Sequence, residues 1–564
     1  MENITLLGIN SKFVHTNLAI RYIKKMIEQV EEYSLTMVES SINNQLPNII
    51  REVIESKPEI LLVSTYIWNK EFVFKIIVEL KKINPNLKIY LGGPEVSYNA
   101  TEIMETYSEV DGIIEGEGEK IITNLLQREE KDVLGLYYRD EKNKDEIKFN
   151  GHEAPIENLD IIPFPYENLE LMENKGKIFY YESTRGCPFR CSYCMSSIEK
   201  SVRSFSLPRV KKDLMTFLDA GVNLVKFVDR TFNLKKDHYM GIWEFLIENY
   251  RPNTTFHFEI SADLFDDEVI SFLTTVPKGL FQFEIGVQTI NNRTMKLIRR
   301  KNNLEKLSKN VLAIKDNIHL HLDLIAGLPK EDFETFKSSF NYVYGLKPEM
   351  IQLGFLKILR GTEISEQIRE FDYKYMEFPP YEVVSNDDIA YEELLKLKDI
   401  EEVLDFYYNS GDFIKSVDYL INNFYSSPFE FYLDISDFYE NKGHFKVSHK
   451  KLAIFNFLVD FYNEKKFGED DREGKIRFIE YIKFDYVNLG KPGKYPEWFK
   501  SSKDRGLYHE LVEKLVEELK FKNNRQGFKN TEMEEFDIDI FTGERKKTRL
   551  LFIYEGKETK IQEC

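Results

Sequence analysis

The sequence predicts an α/β protein in three parts: a parallel sheet with crossover helices, a partial (β/α)6 barrel and a mainly helical C-terminal domain. Three observations predict this order. Apolar strand-like runs alternate with helical patterns at the start of the chain, six further β/α units follow, and amphipathic helical patterns fill the last third. Such alternation favours parallel strands joined by helices. We expect a first domain over 1–140, a linker over 141–175, the barrel over 176–375 and the helical domain over 376–564.

The composition limits the compartments and partners. The 564 residues are 42% hydrophobic and 30% charged, and no apolar run approaches the roughly 20 residues of a membrane span. The N-terminus lacks the basic segment of a secretion signal, so we expect a cytoplasmic protein without a membrane partner. A net charge of −18 disfavours nucleic acid as a partner, although it leaves a local basic cleft open.

The first part reads as a Rossmann-like parallel sheet. The predicted strands are Ile4–Ile9, Leu35–Glu39, Ile60–Thr65, Lys88–Leu91 and Gly112–Glu115, and the predicted helices are Leu18–Glu31, Leu46–Ser56, Lys70–Ile83 and Ala100–Tyr107. A ligand of such a sheet binds at the carboxyl ends of the strands. The polar, aromatic and glycine residues at those ends are Asn10, Ser11, His15, Ser64, Tyr66, Trp68, Gly92, Gly93, Glu115, Gly116 and Glu117.

Three cysteines follow the first strand of the predicted barrel. Cys187, Cys191 and Cys194 have the spacing C-x3-C-x2-C, and the fourth cysteine, Cys564, is the last residue. Three thiolates can hold three irons of a [4Fe–4S] cluster and leave the fourth iron open. The alternatives are a structural zinc site, which needs a fourth ligand such as Cys564 or His152, and a disulfide with a spare thiol. Clustered cysteines suit a reducing compartment, and an exposed cluster suits low oxygen.

The cysteine run, with Tyr193 before its last cysteine, resembles the signature of the radical S-adenosylmethionine (SAM) family. The resemblance implies that the open iron binds SAM, and that one electron cleaves it to methionine and a 5′-deoxyadenosyl radical, which abstracts a hydrogen from an unactivated C–H bond. It also implies an electron donor such as flavodoxin or ferredoxin. No second cysteine cluster is present, which separates the chain from relatives with additional cysteine-ligated clusters.

Six strands are predicted for the barrel, which is similar to the radical SAM core. They are Ile178–Ser183, Leu224–Asp229, Thr255–Ile260, Leu280–Val287, His319–Ile325 and Met350–Leu356. Catalytic residues of such barrels lie at the carboxyl ends of strands.

The resemblance gives the polar residues at these strand ends roles in binding SAM. Asp229 would accept from the SAM amino group or cap the next helix, and Glu259 would accept from the ribose hydroxyls. Gln288 would bind the ribose or substrate. Arg293 would pair with the SAM carboxylate or form a surface salt bridge, and Gly327 resembles the adenine-binding turn. His257, His319 and His321 are candidates for a proton donor or for satisfied core histidines.

The order of the Gly92-Gly93-Pro94-Glu95 and Glu115–Glu119 segments before the cysteines resembles the cobalamin-binding domain of cobalamin-dependent radical SAM enzymes. The resemblance implies a corrinoid across the carboxyl edge of the sheet, with its nucleotide tail among the loops. His15 is a candidate cobalt ligand, although Phe13 stands where the family motif has Asp. Otherwise Tyr66 or Trp68 would cover the lower face of the corrin without coordination.

The last third predicts helices over Ile389–Tyr408, Phe413–Phe424, Phe429–Glu440 and Val447–Tyr462, then a hairpin of Phe536–Phe541 with Arg549–Tyr554. We expect this extension to shape the substrate pocket. The expected reaction is methylation of an unactivated carbon, with one SAM methylating cob(I)alamin and a second supplying the radical. The alternatives are a rearrangement, cyclisation or reduction without methyl transfer, possible action on a tRNA nucleoside, and a non-catalytic corrinoid-sensing or metal-binding protein.

Overall fold

The computed structural model describes residues 2–30, 33–140, 142–143, 146–199, 201–467, 472–518, 520–556 and 558–564. The chain forms two compact units: residues 1–335 with 354–390, and residues 336–353 with 391–564. No helix among the described residues is both long and apolar enough to cross a membrane.

The first unit begins with a seven-stranded sheet whose strands are β1 (Glu2–Asn10), β2 (Tyr33–Ser41), β3 (Ile60–Ser64), β4 (Lys88–Gly92), β5 (Gly112–Ile114), β6 (Leu136–Arg139) and β7 (Ile147–Phe149). The helices between them are α1 (Leu18–Ile27), α2 (Leu46–Glu55), α3 (Lys70–Ile83), α4 (Pro94–Ser97), α5 (Ala100–Thr106) and α6 (Gly118–Leu125). The order is β2-β1-β3-β4-β5-β6-β7. All five predicted strands are present and pair in parallel, whereas β6 and β7 add an unpredicted antiparallel edge.

Helices cover both faces of this sheet. Leu7 and Ile9 of β1 belong to the hydrophobic core on one face, and Ile4 and Leu6 belong to the core on the other. Successive side chains of a strand point to opposite faces, so a strand covered on both faces is apolar throughout. The sheet therefore has its ligand-accessible groups at the strand ends.

The barrel strands are β8 (Ile178–Tyr181), β11 (Leu224–Phe227), β12 (Thr255–Ile260), β13 (Phe281–Gln288), β14 (His319–Ala326) and β15 (Met350–Phe355), and a short pair, β9 (Thr184–Arg185) and β10 (Arg203–Ser204), flanks the cysteine segment. The helices are α7 (Asn168–Glu173), α8 (Leu207–Ala220), α9 (Lys236–Glu248), α10 (Asp267–Leu273), α11 (Asn292–Leu297), α12 (Leu304–Ile314) and α13 (Phe333–Gly345). The sheet order β15-β14-β13-β12-β11-β8 confirms the predicted six-stranded partial barrel. The short elements α14 (Glu363–Glu366), β16 (Lys374–Tyr375) and β17 (Val383–Ser385) follow.

The second unit is mainly helical, as predicted. Its helices are α15 (Tyr391–Leu404), which continues as a π-helical turn over Asp405–Asn409, α16 (Ile414–Phe424), α17 (Pro428–Lys442), α18 (Lys451–Glu464), α19 (Arg472–Asn488), α20 (Arg505–Glu517) and α21 (Asn524–Lys529). An antiparallel sheet of β18 (Thr531–Phe536), β19 (Thr548–Glu555) and β20 (Glu558–Glu563) closes the chain.

The predicted position of the first strand in the closing hairpin is wrong. Strand β18 ends at Phe536, where the prediction began. The Asp539 carboxylate accepts from the backbone N–H groups of Phe541 and Thr542, which makes this segment a turn. The sequence pattern missed β18 because charged residues in a strand normally indicate exposure to solvent. In the structure Glu534 is fully buried and accepts a hydrogen bond from Ser501 Oγ at 2.6 Å.

Candidate active site

Two adjoining cavities lie in the first unit. The larger, of about 520 Å³, extends from the carboxyl edge of the first sheet to the cysteine segment. The smaller, of about 220 Å³, lies between the cysteine segment and the carboxyl ends of the barrel strands. Ser196 and Arg230 line both cavities, so the two volumes meet at these side chains.

Six of the predicted sheet-edge residues line the larger cavity: Ser64, Tyr66, Gly92, Gly93, Gly116 and Glu117. Its inner end is apolar and is formed by Leu6, Ile20, Ile23, Leu62, Ile114 and Ile122. Gly93 has φ +109°, and a Cβ there would lie 2.5 Å from the Thr65 carbonyl oxygen. Only glycine tolerates that conformation and approach, so the Gly-Gly pair shapes the cavity wall.

The other predicted sheet-edge residues do not line this cavity. Asn10 donates to the His15 carbonyl oxygen at 2.9 Å, and Ser11 accepts through its own carbonyl. The Trp68 ring stacks on Tyr66 at 4.5 Å between centroids. Trp68 Nε1 donates a hydrogen bond to the Ile9 carbonyl oxygen. The Glu115 carboxylate lies 2.9 Å from His152 Nδ1.

His15 lies beside the barrel. Its Nδ1 is 2.7 Å from the Tyr180 hydroxyl, and its backbone runs parallel to Ile178 at the start of β8. Burial lowers the pKa of His15, with smaller contributions from Lys12 and Lys226. The imidazole is therefore a neutral partner of Tyr180.

Ion pairs join the loop after β5 to the cysteine segment. Arg185, two residues before Cys187, contacts Glu182 at 2.8 Å, Glu117 at 3.2 Å and also Glu119. Arg203 holds Glu117 from the other side at 2.7 Å. Burial raises the pKa of Glu182 to about 7 against the opposing effect of Arg185.

The three predicted cluster ligands line the smaller cavity together. Cys187 and Cys191 are buried, Cys194 is half-buried, and burial raises the pKa of the first two thiols. No three His, Cys, Asp or Glu side chains among the described residues converge as ligands of a single metal ion. Three thiols around one cavity suit a cluster better, because each thiolate then binds a different iron. The donor set thus fits a [4Fe–4S] cluster.

An arginine that the sequence analysis missed lies beside the thiols. Arg300 Nη1 is 3.9 Å from Cys191 Sγ and 3.4 Å from the Tyr193 hydroxyl, and Nη2 donates to the Gly286 carbonyl. The predicted Arg293 is exposed and does not line either cavity. Both arginines follow β13, and of the two it is Arg300 that lines the smaller cavity.

Carboxylates from neighbouring strands line the smaller cavity. Burial raises the pKa of Glu259 to about 7, and the Arg230 charge opposes this shift. Burial alone would raise the pKa of Glu284, but a hydrogen bond from His257 at 3.0 Å and the Lys226 ammonium at 3.0 Å lower it to about 2. Burial and the two glutamates raise the pKa of Asp323 well above its ordinary value.

Gln288 also lines the smaller cavity, where β13 has an irregular register. Its φ is +68°, which is unfavourable for a residue with a side chain. Its buried Oε1 has no hydrogen-bond partner among the described residues. The backbone therefore holds an unsatisfied acceptor at the cavity.

Asp229 and Gly327 lie outside both cavities. The fully buried Asp229 carboxylate accepts from Ser183 N at 2.9 Å, from Ser183 Oγ at 2.6 Å and from Thr184 Oγ1 at 2.6 Å. It thus fixes the backbone that leads into the cysteine segment. The Gly327 carbonyl accepts from Asn386 Nδ2 at 3.0 Å.

The three barrel histidines form a cluster of rings. His257 binds Glu284, and its ring packs edge-on against His321 at 5.5 Å between centroids. His319 packs against His321 at 4.8 Å. Burial lowers the pKa of His321 to about 4, so this ring is held in the neutral form at neutral pH.

Three known families match successive parts of the chain. The B12 binding domain matches residues 4–126, the Radical SAM superfamily matches 181–343, and a protein family of unknown function (DUF4080) matches 369–552.

Curated relatives and solved structures agree with the first two of these matches. An uncharacterised methyltransferase, PH0819 of Pyrococcus horikoshii, is 24% identical over 62% of this chain and 77% of its own length. The cobalamin-dependent radical SAM methyltransferase TokK of Streptomyces tokunonensis is 24% identical over 67% of this chain, which spans 59% of TokK. The structure of OxsB, a cobalamin-dependent SAM radical enzyme with aqua-cobalamin and SAM bound, has a TM-score of 0.60, 16% identity, and covers 86% of this chain and 84% of its own.

The chain is a cobalamin-dependent radical SAM enzyme, since a B12-binding domain and a radical SAM domain follow each other in it. The matches confirm the predicted cofactors: cobalamin, SAM and a [4Fe–4S] cluster. Within this class, the chain carries a C-terminal region that belongs to a family without a known function.

Proposed function

We propose that this enzyme transfers a methyl group from SAM to an unactivated carbon of its substrate. The observation that carries the proposal is that the cavity at the B12-domain edge adjoins the cavity of the three cysteines, because Ser196 and Arg230 line both. A substrate at this junction reaches both cofactors. The methyltransferase relatives support the same reaction.

Cys187, Cys191 and Cys194 would hold the cluster, which supplies the electron for SAM cleavage when bound. Arg300 is the best-placed partner for the SAM carboxylate, because its guanidinium lies beside Cys191 and the Tyr193 hydroxyl. A guanidinium binds a carboxylate through two parallel hydrogen bonds. We assign this role to Arg300 in place of the exposed Arg293.

Glu259 and Gln288 would bind the polar groups of the nucleoside. Glu259 is at the end of β12, and Gln288 presents its unsatisfied Oε1 at the end of β13. Asp229 would act indirectly, because its oxygens are engaged by Ser183 and Thr184. We assign it to positioning the cysteine segment.

The larger cavity would hold cobalamin, which supplies the methyl-transfer chemistry when bound. Its volume and its apolar inner end support a nucleotide tail inserted between the sheet and the helices. Tyr66 lines this cavity and is stacked by Trp68, whereas His15 is engaged by Tyr180. We propose that Tyr66, rather than His15, would pack against the corrin.

A second candidate keeps both cofactors but transfers no methyl group. It would be a rearrangement, cyclisation or reduction, and the similarity to an anaerobic magnesium-protoporphyrin IX monomethyl ester cyclase of Rubrivivax gelatinosus, 24% identical over 60% of this chain and 65% of its own length, favours keeping it. In either case we propose a cytoplasmic enzyme reduced by a flavodoxin or ferredoxin, because free clustered cysteines need a reducing compartment.

The test is a product assay on anaerobically reconstituted protein with SAM, hydroxocobalamin and a strong reductant. Methyl transfer predicts S-adenosylhomocysteine together with 5′-deoxyadenosine. Deoxyadenosine without S-adenosylhomocysteine would favour the second candidate, and the absence of both products would refute the proposal.

A further inference from the structure

Arg230 occupies the junction of the two cavities. It follows β11, and its exposed side chain lines both volumes. Burial raises the pKa of Tyr66 and of Glu259, and the Arg230 charge opposes both shifts. Tyr66 of the B12-binding domain lines one of these volumes and Glu259 of the barrel lines the other, so Arg230 shares a cavity with each of them.

The carboxylates around the larger cavity already have cationic partners. Arg185 pairs with Glu119 and Glu182, while Arg203 pairs with Glu117 and Glu199. In the smaller cavity, the Glu284 carboxylate is held by Lys226 and His257.

Arg230 differs from these arginines. Among the described residues, no side-chain hydrogen bond and no ion pair within 4.0 Å joins its guanidinium to another group. Arg230 thus places an exposed cation where the two cavities adjoin, although the chain as a whole has a net charge of −18. Arginine binds carboxylates and phosphates through a planar fork of N–H donors.

The SAM carboxylate and the nucleotide tail of cobalamin have other places in the proposed arrangement. The SAM carboxylate is assigned to Arg300 beside Cys191, and the nucleotide tail of cobalamin to the apolar inner end around Ile20 and Ile122. Neither assignment uses Arg230.

We propose that Arg230 anchors an anionic group, a carboxylate or a phosphate, of the substrate between the two cofactors. The inference rests on the proposed function and deepens it by naming the substrate class. The anion would bind beside Ser196, which lines the same junction, and the carbon to be modified would then lie in the volume that both cofactors reach.

The experiment measures anion binding by equilibrium dialysis of radiolabelled benzoate on the holoenzyme, reconstituted with the cluster and saturated with hydroxocobalamin and SAM. Benzamide, which has the same shape without the charge, and phenyl phosphate compete as unlabelled probes. The variants are Arg230→Gln, Arg230→Lys, and Arg251→Gln as a control at an exposed arginine whose guanidinium, within the described part of the chain, hydrogen-bonds to backbone carbonyls.

We expect benzoate to bind the wild type, at least tenfold weaker binding in R230Q, partial recovery in R230K, and wild-type affinity in R251Q. Benzamide should not compete, and stronger competition by phenyl phosphate than by benzoate would identify the anion as a phosphate. Equal affinity in R230Q and the wild type, or no benzoate binding by the saturated wild-type holoenzyme, would overturn the inference. Wild-type protein that binds no corrinoid or forms no deoxyadenosine would instead refute the proposed function, and the anion site with it.

Discussion

Gly186 determines how closely the cysteine segment approaches the following loop. Its φ is +88°, and a Cβ at this position would lie 1.8 Å from the Ser201 carbonyl oxygen. Alanine in a left-handed conformation costs about 1–2 kcal/mol. Since ordinary contacts are about 3.5 Å, the loop must also move by more than an ångström, and overpacking of this kind costs about 1–3 kcal/mol. Gly186→Ala should therefore displace Cys187 and weaken cluster assembly.

Two other glycines separate these two costs. Gly279 has φ +84°, and a Cβ added there would have no atom within 4 Å, so Gly279→Ala carries the conformational cost alone. Gly176 has no positive φ and no atom within 4 Å of an added Cβ, so Gly176→Ala carries neither cost. Iron and sulfide content after anaerobic reconstitution, with the thermal unfolding midpoint, should fall clearly for G186A, while G279A loses only thermal stability and G176A changes neither. Equal iron content in G186A and G279A would show that the contact with Ser201 does not govern the cysteine segment.

Three further predictions concern single side chains. Arg300→Gln should weaken SAM binding at least tenfold, whereas Arg293→Gln should leave it unchanged. Titration of the EPR signal of the reduced cluster with SAM measures the affinity of both variants. Weaker SAM binding in R293Q than in R300Q would contradict the assignment. Cys191→Ala should abolish deoxyadenosine formation and lower iron content, while Cys564→Ala should retain both, and an intact cluster in C191A would exclude this ligand. Burial raises the pKa of Asp485 from its ordinary 3.8 to about 7, so the folded state holds the proton of this carboxyl more tightly than the unfolded state does. The free energy of unfolding should therefore fall as pH rises from about 4 to about 7. In urea denaturation, the difference in this free energy between wild type and Asp485→Asn should change across the same pH range, and a difference independent of pH would contradict the prediction.

The sequence predicted correctly the strands whose side chains are buried on one face or on both faces of a sheet. The apolar runs of β1 and β3 are strands that are covered on both faces. This burial explains why the hydrophobic pattern of the sequence identified them. Strand β18 was misplaced because its glutamates are buried with polar and cationic partners from other elements, among them Lys503 for Glu532. Such compensation is a property of the folded structure and leaves no local periodicity.

The same limits apply to the candidate site. The cysteines and Glu259 lie where strand ends place them, because the position depends only on the chain order of the barrel. The choice between Arg293 and Arg300 depends on the turn at Arg299, whose φ is +53° after α11 ends. Tertiary packing determines this turn of the backbone. It also determines the burial of the Asp229 carboxylate and its hydrogen bonds to Ser183 and Thr184.

The most direct test of the account is to measure corrinoid content and 5′-deoxyadenosine formation on the same anaerobically reconstituted sample of the full chain. The account predicts close to one corrinoid and one [4Fe–4S] cluster per chain, with reductant-dependent deoxyadenosine formation. Deoxyadenosine without bound corrinoid would contradict the assignment of the larger cavity and leave a radical SAM enzyme whose first domain has another role.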